Sequence, residues 1–136
     1  MTPFSLKIVT PDALVYDGMA EELIVRTTSG DLGILAGHVN CAASLGMGRA
    51  TVVIDGQKRF AACIGGMLSV IDGKVTLVPT TFEWADDIDV ARAQASLDRG
   101  QNALHQKDAS DAEIRLASAR IKRALVRKSV AQGSRD

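Results

Sequence analysis

The sequence is poor in the residues that most often mark a catalytic, metal-binding or disulfide-rich protein. Only 4% of its 136 residues are aromatic, so aliphatic side chains must form any core, and it has two cysteines and two histidines. Cys41 and Cys63 lie in apolar surroundings, which predicts buried reduced thiols rather than a disulfide framework. His38 and Cys41 have a spacing found in metal ligands, but no second pair of ligands completes a zinc site. We therefore predict no metal site.

The sequence also lacks net charge and long apolar runs. Sixteen Lys and Arg balance sixteen Asp and Glu, which disfavours nucleic acid as a general partner. No apolar run approaches the ~20 residues that a transmembrane helix needs, and nothing resembles a signal peptide. If the protein works at a membrane, we expect another chain to hold it there.

Motifs of enzyme active sites are missing as well. The glycine-rich stretch at residues 65–75 has Leu68 and Val75 where a phosphate-binding G-x-x-x-x-G-K-[ST] loop needs Gly and Ser or Thr. No serine lies in a G-x-S-x-G turn. We predict no catalytic residues and a protein that is not an enzyme.

What the sequence does contain, in residues 1–85, is a series of short runs typical of β-strands. The run Phe4–Val9 alternates apolar and polar residues, as a half-buried strand does. Two Asp-Gly pairs, at residues 55–56 and 72–73, predict hairpins because they supply the positive φ angles of a type I′ turn. Many short strands at this spacing predict an antiparallel β-sandwich or barrel.

Other glycines in this part predict where strands end or bend. Asp17 and Gly18 predict the end of a second strand that begins near Ala13. Gly65 and Gly66, between two strands, predict a bulge or a close approach of two backbones.

Residues 86–136 predict an antiparallel hairpin of two helices. Residues 88–106 contain no proline and a thin apolar stripe that is mostly alanine. Ser110 and Glu113 have the spacing of a capping box at the start of a second helix. The predicted apolar face of that helix consists of Ile114, Ala117, Ile121, Ala124 and Leu125. This face is small, so the hairpin should need support from the β domain or a partner. Residues from Gly133 on should fray, because they lie at the end of the chain.

The two parts meet at residues 86–93, where Asp86, Asp87 and Asp89 precede the first helix. Carboxylates there complement the unpaired N–H groups and the positive end of the helix dipole. Because the hairpin that follows has little apolar surface to fix its position, residues 86–93 are also predicted to act as a hinge.

Basic residues concentrate on the second predicted helix. Between Ser110 and Ala131 there are six basic and two acidic residues, a net charge of +4. The basic residues are Arg115, Arg120, Lys122, Arg123, Arg127 and Lys128. They form either a solvated face, which contributes little, or a docking face for an acidic partner.

Several segments resemble, in order, the epsilon subunit of the bacterial F-type ATP synthase, a rotary and proton-translocating enzyme. They are residues 9–12 and 15–18, the glycine-rich segment 29–38, the double-glycine strand 64–70 and the helix start 87–93. The resemblance implies an N-terminal β-sandwich of about ten strands (residues 1–85) and a C-terminal two-helix hairpin (residues 86–136). It also implies a non-catalytic subunit of the central stalk that couples the c-ring to gamma during ATP synthesis.

The resemblance further implies partners and surfaces of contact. The expected partners are the gamma subunit, the c-ring and the alpha and beta catalytic subunits, at the cytoplasmic face of the bacterial plasma membrane. Asp31 and His38 become candidates for contact with the c-ring or gamma. The basic residues of the second helix become candidates for docking on the catalytic subunits, which would inhibit ATP hydrolysis.

A regulatory ATP site is the last implication, since some members of the family bind ATP in the folded-down hairpin. Their motif I/L-D-x-x-R-A matches Ile88, Asp89, Arg92 and Ala93, and the further matches are Glu83, Arg99, Arg123 and Arg127. MgATP would then be a regulatory ligand, and no cofactor is required. Against this, the second helix keeps its arginines, but Ala91, Gln94 and Gly100 thin out the motif in the first helix. Asp89 could also be only a helix cap or an i,i+3 partner of Arg92.

Two other classes of function stay open from the residues alone. One is a free-standing regulatory module that binds ATP. The other is a β-sandwich adaptor with a basic helical tail.

Overall fold

The structure, a computed structural model, describes residues 1–133 and divides the chain into two compact units, Met1–Trp84 and the residues from Ala85 on. The sequence prediction placed this boundary between residues 85 and 86. Of the residues predicted to fray from Gly133 on, Gly133 lies in a turn in which its N–H donates to the carbonyl oxygen of Val130 at 3.1 Å, and residues 134–136 lie outside the described part of the chain.

The first unit is built from ten strands that form two five-stranded sheets. The strands are β1 Phe4–Val9, β2 Leu14–Ala20, β3 Glu22–Thr27, β4 Gly30–Ile34, β5 Cys41–Ser44, β6 Met47–Ile54, β7 Gln57–Ile64, β8 Met67–Ile71, β9 Lys74–Val78 and β10 Thr81–Trp84. Sheet I has the order β2-β1-β9-β8-β5, and sheet II has the order β10-β7-β6-β3-β4. The predicted β-sandwich of about ten strands is confirmed.

One pairing departs from the antiparallel pattern that the sequence predicted. The strands β1 and β9 run parallel in the middle of sheet I, with Leu6 opposite Val75 and Ile8 opposite Leu77. Hairpin signals in the sequence predict only neighbours along the chain, and these two strands are separated by most of the unit.

The core between the sheets is aliphatic, as the low aromatic content predicted. In β1 the side chains of Phe4, Leu6 and Ile8 are buried while the residues between them are exposed. They meet fully buried residues of the other strands, such as Leu23 and Leu77. This alternation places one face of each strand in the core.

The tight turns follow the predicted glycine chemistry. Asp55 and Asp72 have φ angles of 50°, and the glycines that follow them also have positive φ angles. Gly66 has a φ angle of 96°, and a Cβ atom there would lie 2.0 Å from the carbonyl oxygen of Val78. The prediction of a close backbone approach at this double glycine is therefore confirmed.

Three strand predictions were wrong or missing. The strand β2 continues through Asp17 and Gly18, where the sequence predicted its end, because Asp17 faces outward opposite Lys7 and Gly18 leaves room for the ring of Tyr16. The strands β5 and β10 were not predicted. Each has only four residues, which is the shortest run over which alternation indicates a strand.

The second unit is a short 3-10 turn, Ala85–Asp87, followed by the helices α1 Val90–Leu104 and α2 Asp111–Ala131. The capping box at α2 is confirmed: Ser110 Oγ accepts from the N–H of Glu113 at 3.1 Å, and the N–H of Ser110 donates to Glu113 Oε1 at 3.3 Å. The helices are antiparallel, since Gly100 of α1 lies against Ala117 and Ile121 of α2 while the turn that precedes α1 contacts α2.

The predicted apolar face of α2 was partly wrong. Ile114 and Leu125 are 40% and 49% exposed, whereas Ala117, Ala124 and Val130 are buried. The reason is the short distance between the helices: a Cβ atom on Gly100 would lie 2.7 Å from Ile121 Cγ1. Small residues fill so narrow an interface, and the larger aliphatic side chains lie at its margins.

Among the described residues, no helix combines the length and the apolar character that crossing a membrane requires.

Candidate functional site

The start of α1 has the geometry of a capped helix. Asp89 is the N-cap residue in extended conformation, and its Oδ1 accepts from the backbone N–H of Arg92 at 3.0 Å. Asp86 and Asp87 lie in the 3-10 turn just before it and are exposed. The predicted role of the aspartates at the helix start is confirmed for Asp89. Its predicted part in an ATP site stays a prediction.

The neighbours of Asp89 in the predicted nucleotide motif differ in exposure. Arg92 is exposed, whereas Ile88 is 9% exposed and Ala93 is 4% exposed. Ala93 therefore serves the packing of the helix, and Arg92 supplies the charge that a ligand could reach. Arg99, two turns further along α1, is exposed as well.

The arginines of the predicted ATP site share a simple relation to the helix interface. Each of Arg92, Arg99 and Arg123 directly precedes a buried small residue, namely Ala93, Gly100 and Ala124. At 3.6 residues per turn, each arginine is therefore rotated by about 100° from the buried face, and always in the same sense. In two antiparallel helices, an equal rotation in the same sense leads to the same side of the pair. The structure thus places these three arginines on one side of the hairpin.

Arg127 extends this side of α2. It lies four residues after Arg123, on the same stripe of the helix, and both side chains are half-buried. Within residues 1–133, Arg92, Arg99 and Arg123 form no ion pair with a carboxylate. The guanidinium groups of Arg92, Arg99 and Arg123, which lack carboxylate partners among the described residues, are suited to bind an anion, and their planar forks match phosphate.

Glu83 is the one predicted ATP-site residue outside the second unit. It lies on β10, opposite Ala62 of β7, and is half-buried.

The six basic residues of α2 do not form the single face that the net charge suggested. Arg115 and Lys122, which are seven residues apart, are exposed on a different stripe from Arg120, Arg123 and Arg127. Lys128, which lies nearer the buried face, is half-buried. The helical period distributes the charge around α2, so a partner would meet only part of it at once.

The two predicted stalk contacts lie in the β unit. Asp31 is on β4 and forms an ion pair with Arg26 of β3, with Asp31 Oδ1 2.6 Å from Arg26 Nε. Their side chains are 58% and 38% exposed, so the pair contributes at most about 1 kcal/mol to stability. Asp31 also lines a surface groove between residues 27–32 and 42–44. An exposed carboxylate beside a groove is compatible with a contact, and the contact stays a prediction.

His38 follows β4 in a loop, and its Nδ1 lies 2.8 Å from the carbonyl oxygen of Val39. Cys41 Sγ lies 3.9 Å from the same nitrogen. In the described part of the chain, no group of three or more His, Cys, Asp or Glu side chains is placed to hold a metal ion. His38 and Cys41 thus form a local contact between this loop and the start of β5.

Both cysteines are free thiols, but only one is fully buried. Burial raises the pKa of the Cys63 thiol to about 12, which keeps it protonated and unreactive. Cys41 is half-buried, so the prediction of two buried thiols holds for Cys63 only.

The sequence analysis missed the packing role of Gly100. It counted this residue only among those that weaken the nucleotide motif of the first helix, whereas the structure shows that Gly100 allows a close approach to α2. A signal was present: small residues seven apart occur in both helices, at Ala93 and Gly100 and at Ala117 and Ala124.

Comparison with family models matches almost the whole chain in two parts. Residues 3–85 match the β-sandwich domain of the ATP synthase delta/epsilon chain, and residues 86–132 match its long α-helix domain. The matched ranges cover the ten strands and the two helices described above.

Close relatives are similar along nearly their full length. The chain is 41% identical over 132 residues to the ATP synthase epsilon chain of Ruminococcus albus, which covers 96% of this chain and 98% of the relative. It is 40% identical over 131 residues to that of Bacillus velezensis, with the same coverage of both chains. The Bacillus subtilis epsilon chain is 40% identical over 115 residues, 85% of this chain and 86% of the relative.

Solved structures share the fold at lower identity. A chain in the Euglena gracilis mitochondrial ATP synthase structure (OSCP, F1 and c-ring) has a TM-score of 0.78 and 21% identity, over 90% of this chain and 77% of that chain. A chain in the Tetrahymena thermophila mitochondrial ATP synthase structure (central stalk and c-ring) has a TM-score of 0.62 and 16% identity, over 93% of this chain and 95% of that chain.

The predicted resemblance to the epsilon chain, and with it the prediction of a non-catalytic subunit, is confirmed by these matches. The chain therefore belongs to the ATP synthase delta/epsilon chain family.

Proposed function

We propose that this chain is the epsilon-type subunit in the central stalk of an F-type ATP synthase, where its hairpin senses MgATP and restrains ATP hydrolysis. The observation that carries the regulatory part is the set of arginines from α1 and α2 on one side of the hairpin. The family assignment supports the stalk part.

In this proposal the β unit couples the c-ring to gamma during proton-driven ATP synthesis. The unit has one contiguous hydrophobic core, and densely packed cores deform little, which supports a role in transmitting torque between two partners. Asp31 and His38 are the proposed points of contact, and both lie outside the core. The complex would hold the subunit at the cytoplasmic face of the plasma membrane, as a peripheral component.

The hairpin is the proposed ATP sensor. Arg92 and Arg99 reach from α1, and Arg123 and Arg127 from α2, so one polyphosphate chain bound between them would connect both helices. Each charge-assisted hydrogen bond to phosphate stabilises the bound state by about 1.5–3 kcal/mol. Binding would therefore favour the closed hairpin over any arrangement in which the helices separate.

Inhibition of ATP hydrolysis is the second regulatory function, and it uses overlapping residues. Arg123 and Arg127 would bind phosphate in the closed hairpin and an acidic segment of a catalytic subunit in the docked state. The two states then compete, so MgATP should weaken docking by the same factor by which docking weakens MgATP binding.

Isothermal titration of the full chain with MgATP tests the sensor. We expect heat from binding at millimolar ligand or below, and a loss of about tenfold or more in affinity for Arg92→Ala and for Arg123→Ala. Arg115→Ala is the matched control, because this exposed arginine lies on another stripe of α2. If the wild-type chain gives no heat up to the millimolar range, it has no useful ATP site.

Asp89→Asn separates the cap of α1 from recognition of a base. Asparagine keeps the hydrogen bond to the N–H of Arg92 and so keeps the helix, but it lacks the carboxylate. We expect unchanged helicity with weaker MgATP binding. Unchanged affinity would assign Asp89 to the cap alone.

Two experiments on the complex test the stalk and inhibitor functions. A tagged chain should co-purify with the alpha, beta, gamma and c subunits, and the stalk assignment fails if it retains none of them. Truncation after Glu83 should leave assembly intact and increase ATP hydrolysis by the complex. Unchanged hydrolysis would show that the hairpin does not inhibit this enzyme.

A further inference from the structure

Arg120 lies on the arginine side of the hairpin but was not among the residues predicted to bind ATP. It is three residues before Arg123 and seven before Arg127, which places all three on one stripe of α2. Its side chain is exposed. We propose that Arg120 is a further phosphate-binding residue, which acts together with Arg99 on the end of the bound polyphosphate farthest from Asp89. This inference rests on the ATP site proposed above.

The level of each arginine along the hairpin follows from the contact at Gly100. A Cβ atom there would lie 2.7 Å from Ile121 Cγ1 and 3.3 Å from the carbonyl oxygen of Ala117, so Gly100 is level with the turn between these two residues. Because the helices are antiparallel, a step back along α1 corresponds to a step forward along α2. Arg99 is therefore level with Arg120.

The same register places Arg92 level with Arg127, and Ser96 level with Arg123. The arginines thus form two pairs, Arg92 with Arg127 near the start of α1 and Arg99 with Arg120 seven residues further along. At 1.5 Å per residue the two pairs are about 10 Å apart along the axis. A polyphosphate chain parallel to the hairpin could contact both pairs, whereas a shorter anion would contact one.

Within α1 and α2 as the structure describes them, no carboxylate interrupts this side of the hairpin between the two pairs. The stretch of α2 from Arg120 to Arg127 contains no acidic residue. In α1 the one acidic residue between Arg92 and Arg99 is Asp98, whose Oδ1 accepts from Gln94 Nε2 at 2.9 Å. Asp98 directly follows the buried Leu97, so it lies on the other side of the helix from Arg92 and Arg99.

This arrangement predicts which part of the ligand Arg120 recognises. If the base lies near Ile88 and Asp89, the first phosphates meet Arg92 and Arg127 and the terminal phosphate meets Arg99 and Arg120. Arg120 should then favour three phosphates over two. Inorganic tripolyphosphate shares this chemistry without the base, so it should also depend on Arg120.

The test is isothermal titration of the full chain with MgATP, MgADP and sodium tripolyphosphate. For Arg120→Gln we expect about tenfold weaker binding of MgATP and of tripolyphosphate, and less than a twofold change for MgADP. Lys122→Gln is the matched control, since Lys122 carries the same charge on another stripe of α2. It should bind all three ligands as the wild type does, and circular dichroism should show equal helicity in both variants.

Three results would overturn the inference. If Arg120→Gln binds MgATP like the wild type while Arg92→Ala does not, the ATP site stands and Arg120 is outside it. If Arg120→Gln weakens MgATP and MgADP equally, Arg120 does not recognise the terminal phosphate. If the wild-type chain binds none of the three ligands, the proposed ATP site itself is wrong, and the role of Arg120 is wrong with it.

Discussion

The two units of this chain are stabilised in different ways. The β unit encloses large aliphatic side chains, and Leu6, Ile8, Leu23, Leu68 and Leu77 have no exposed surface. The hairpin buries mainly small residues, and much of its larger aliphatic surface is exposed: Leu116 is 72% exposed and Leu125 is 49% exposed. Since buried apolar area supplies most of the favourable free energy of folding, the β unit has far more of it.

This difference separates a part that must keep its shape from a part that can change it. A rotor component needs a unit that does not deform, and the β-sandwich fulfils this need with its own core. A regulatory element needs alternative states of similar free energy. The hairpin meets this need better than the β unit, because the interface between its helices buries little apolar area and so favours the closed state only weakly. Substitutions in the two units should therefore differ in how much stability they cost.

The largest loss of stability should come from a substitution that leaves a cavity in the core of the β unit. Leu77→Ala removes a fully buried side chain and should lower the free energy of unfolding by about 2–5 kcal/mol. Trp84 is the only tryptophan, and Arg59 Cζ lies 3.8 Å from its ring centroid, so its fluorescence reports unfolding of this unit in urea. Val78→Ala, at the next and 45% exposed position, is the control. Equal losses from both variants would refute the assigned core.

A backbone substitution in the β unit should have a somewhat smaller effect. Gly66→Ala places a Cβ atom 2.0 Å from the carbonyl oxygen of Val78 at a residue with positive φ, and it should cost about 2–4 kcal/mol. Gly73→Ala also has a positive φ, but nothing lies within 4 Å of its Cβ position, so it should cost only about 1–2 kcal/mol. The same urea titration measures both. A Gly66→Ala chain as stable as Gly73→Ala would contradict the close approach.

In the hairpin, the substitution Gly100→Ala should have two opposing effects on stability. Alanine favours the isolated helix by about 1 kcal/mol, but its Cβ atom would contact Ile121 and push the helices apart at a cost of about 1–3 kcal/mol. We expect a net loss of about 1 kcal/mol, seen as earlier thermal loss of ellipticity at 222 nm, with Trp84 fluorescence unchanged. Gln101→Ala, at the exposed neighbouring position, should lack this loss. A more stable hairpin in Gly100→Ala would mean that the interface is loose.

The smallest effect should come from the cap of α2. Ser110→Ala removes the hydroxyl that accepts from the N–H of Glu113 and should cost about 0.5–1 kcal/mol of helix stability. Ser118→Ala, an exposed serine inside α2, should cost nothing measurable. Circular dichroism during thermal unfolding compares the two. If Ser118→Ala destabilises the hairpin as much as Ser110→Ala does, the capping box is not what stabilises this end.

The sequence alone was sufficient where short-range chemistry decides the structure. The Asp-Gly pairs require positive φ angles, the alternation in β1 requires one buried face, and Ser110 with Glu113 requires a capped helix start. Each depends on residues within a few positions of one another. For the same reason Asp89 was correctly expected at the start of α1.

Tertiary structure decided everything that depends on two distant segments meeting. The parallel pairing of β1 with β9, the short strands β5 and β10, and the burial of Ala117 rather than Ile114 depend on partners that no local pattern contains. The candidate site follows the same rule. The sequence identified the four candidate arginines, which are Arg92, Arg99, Arg123 and Arg127. Only the packing of α1 against α2 at Gly100 showed that they lie on one side of the hairpin and which of them are at the same height along its axis. The side chains between two helices set how the helices pack, and no local pattern contains that information.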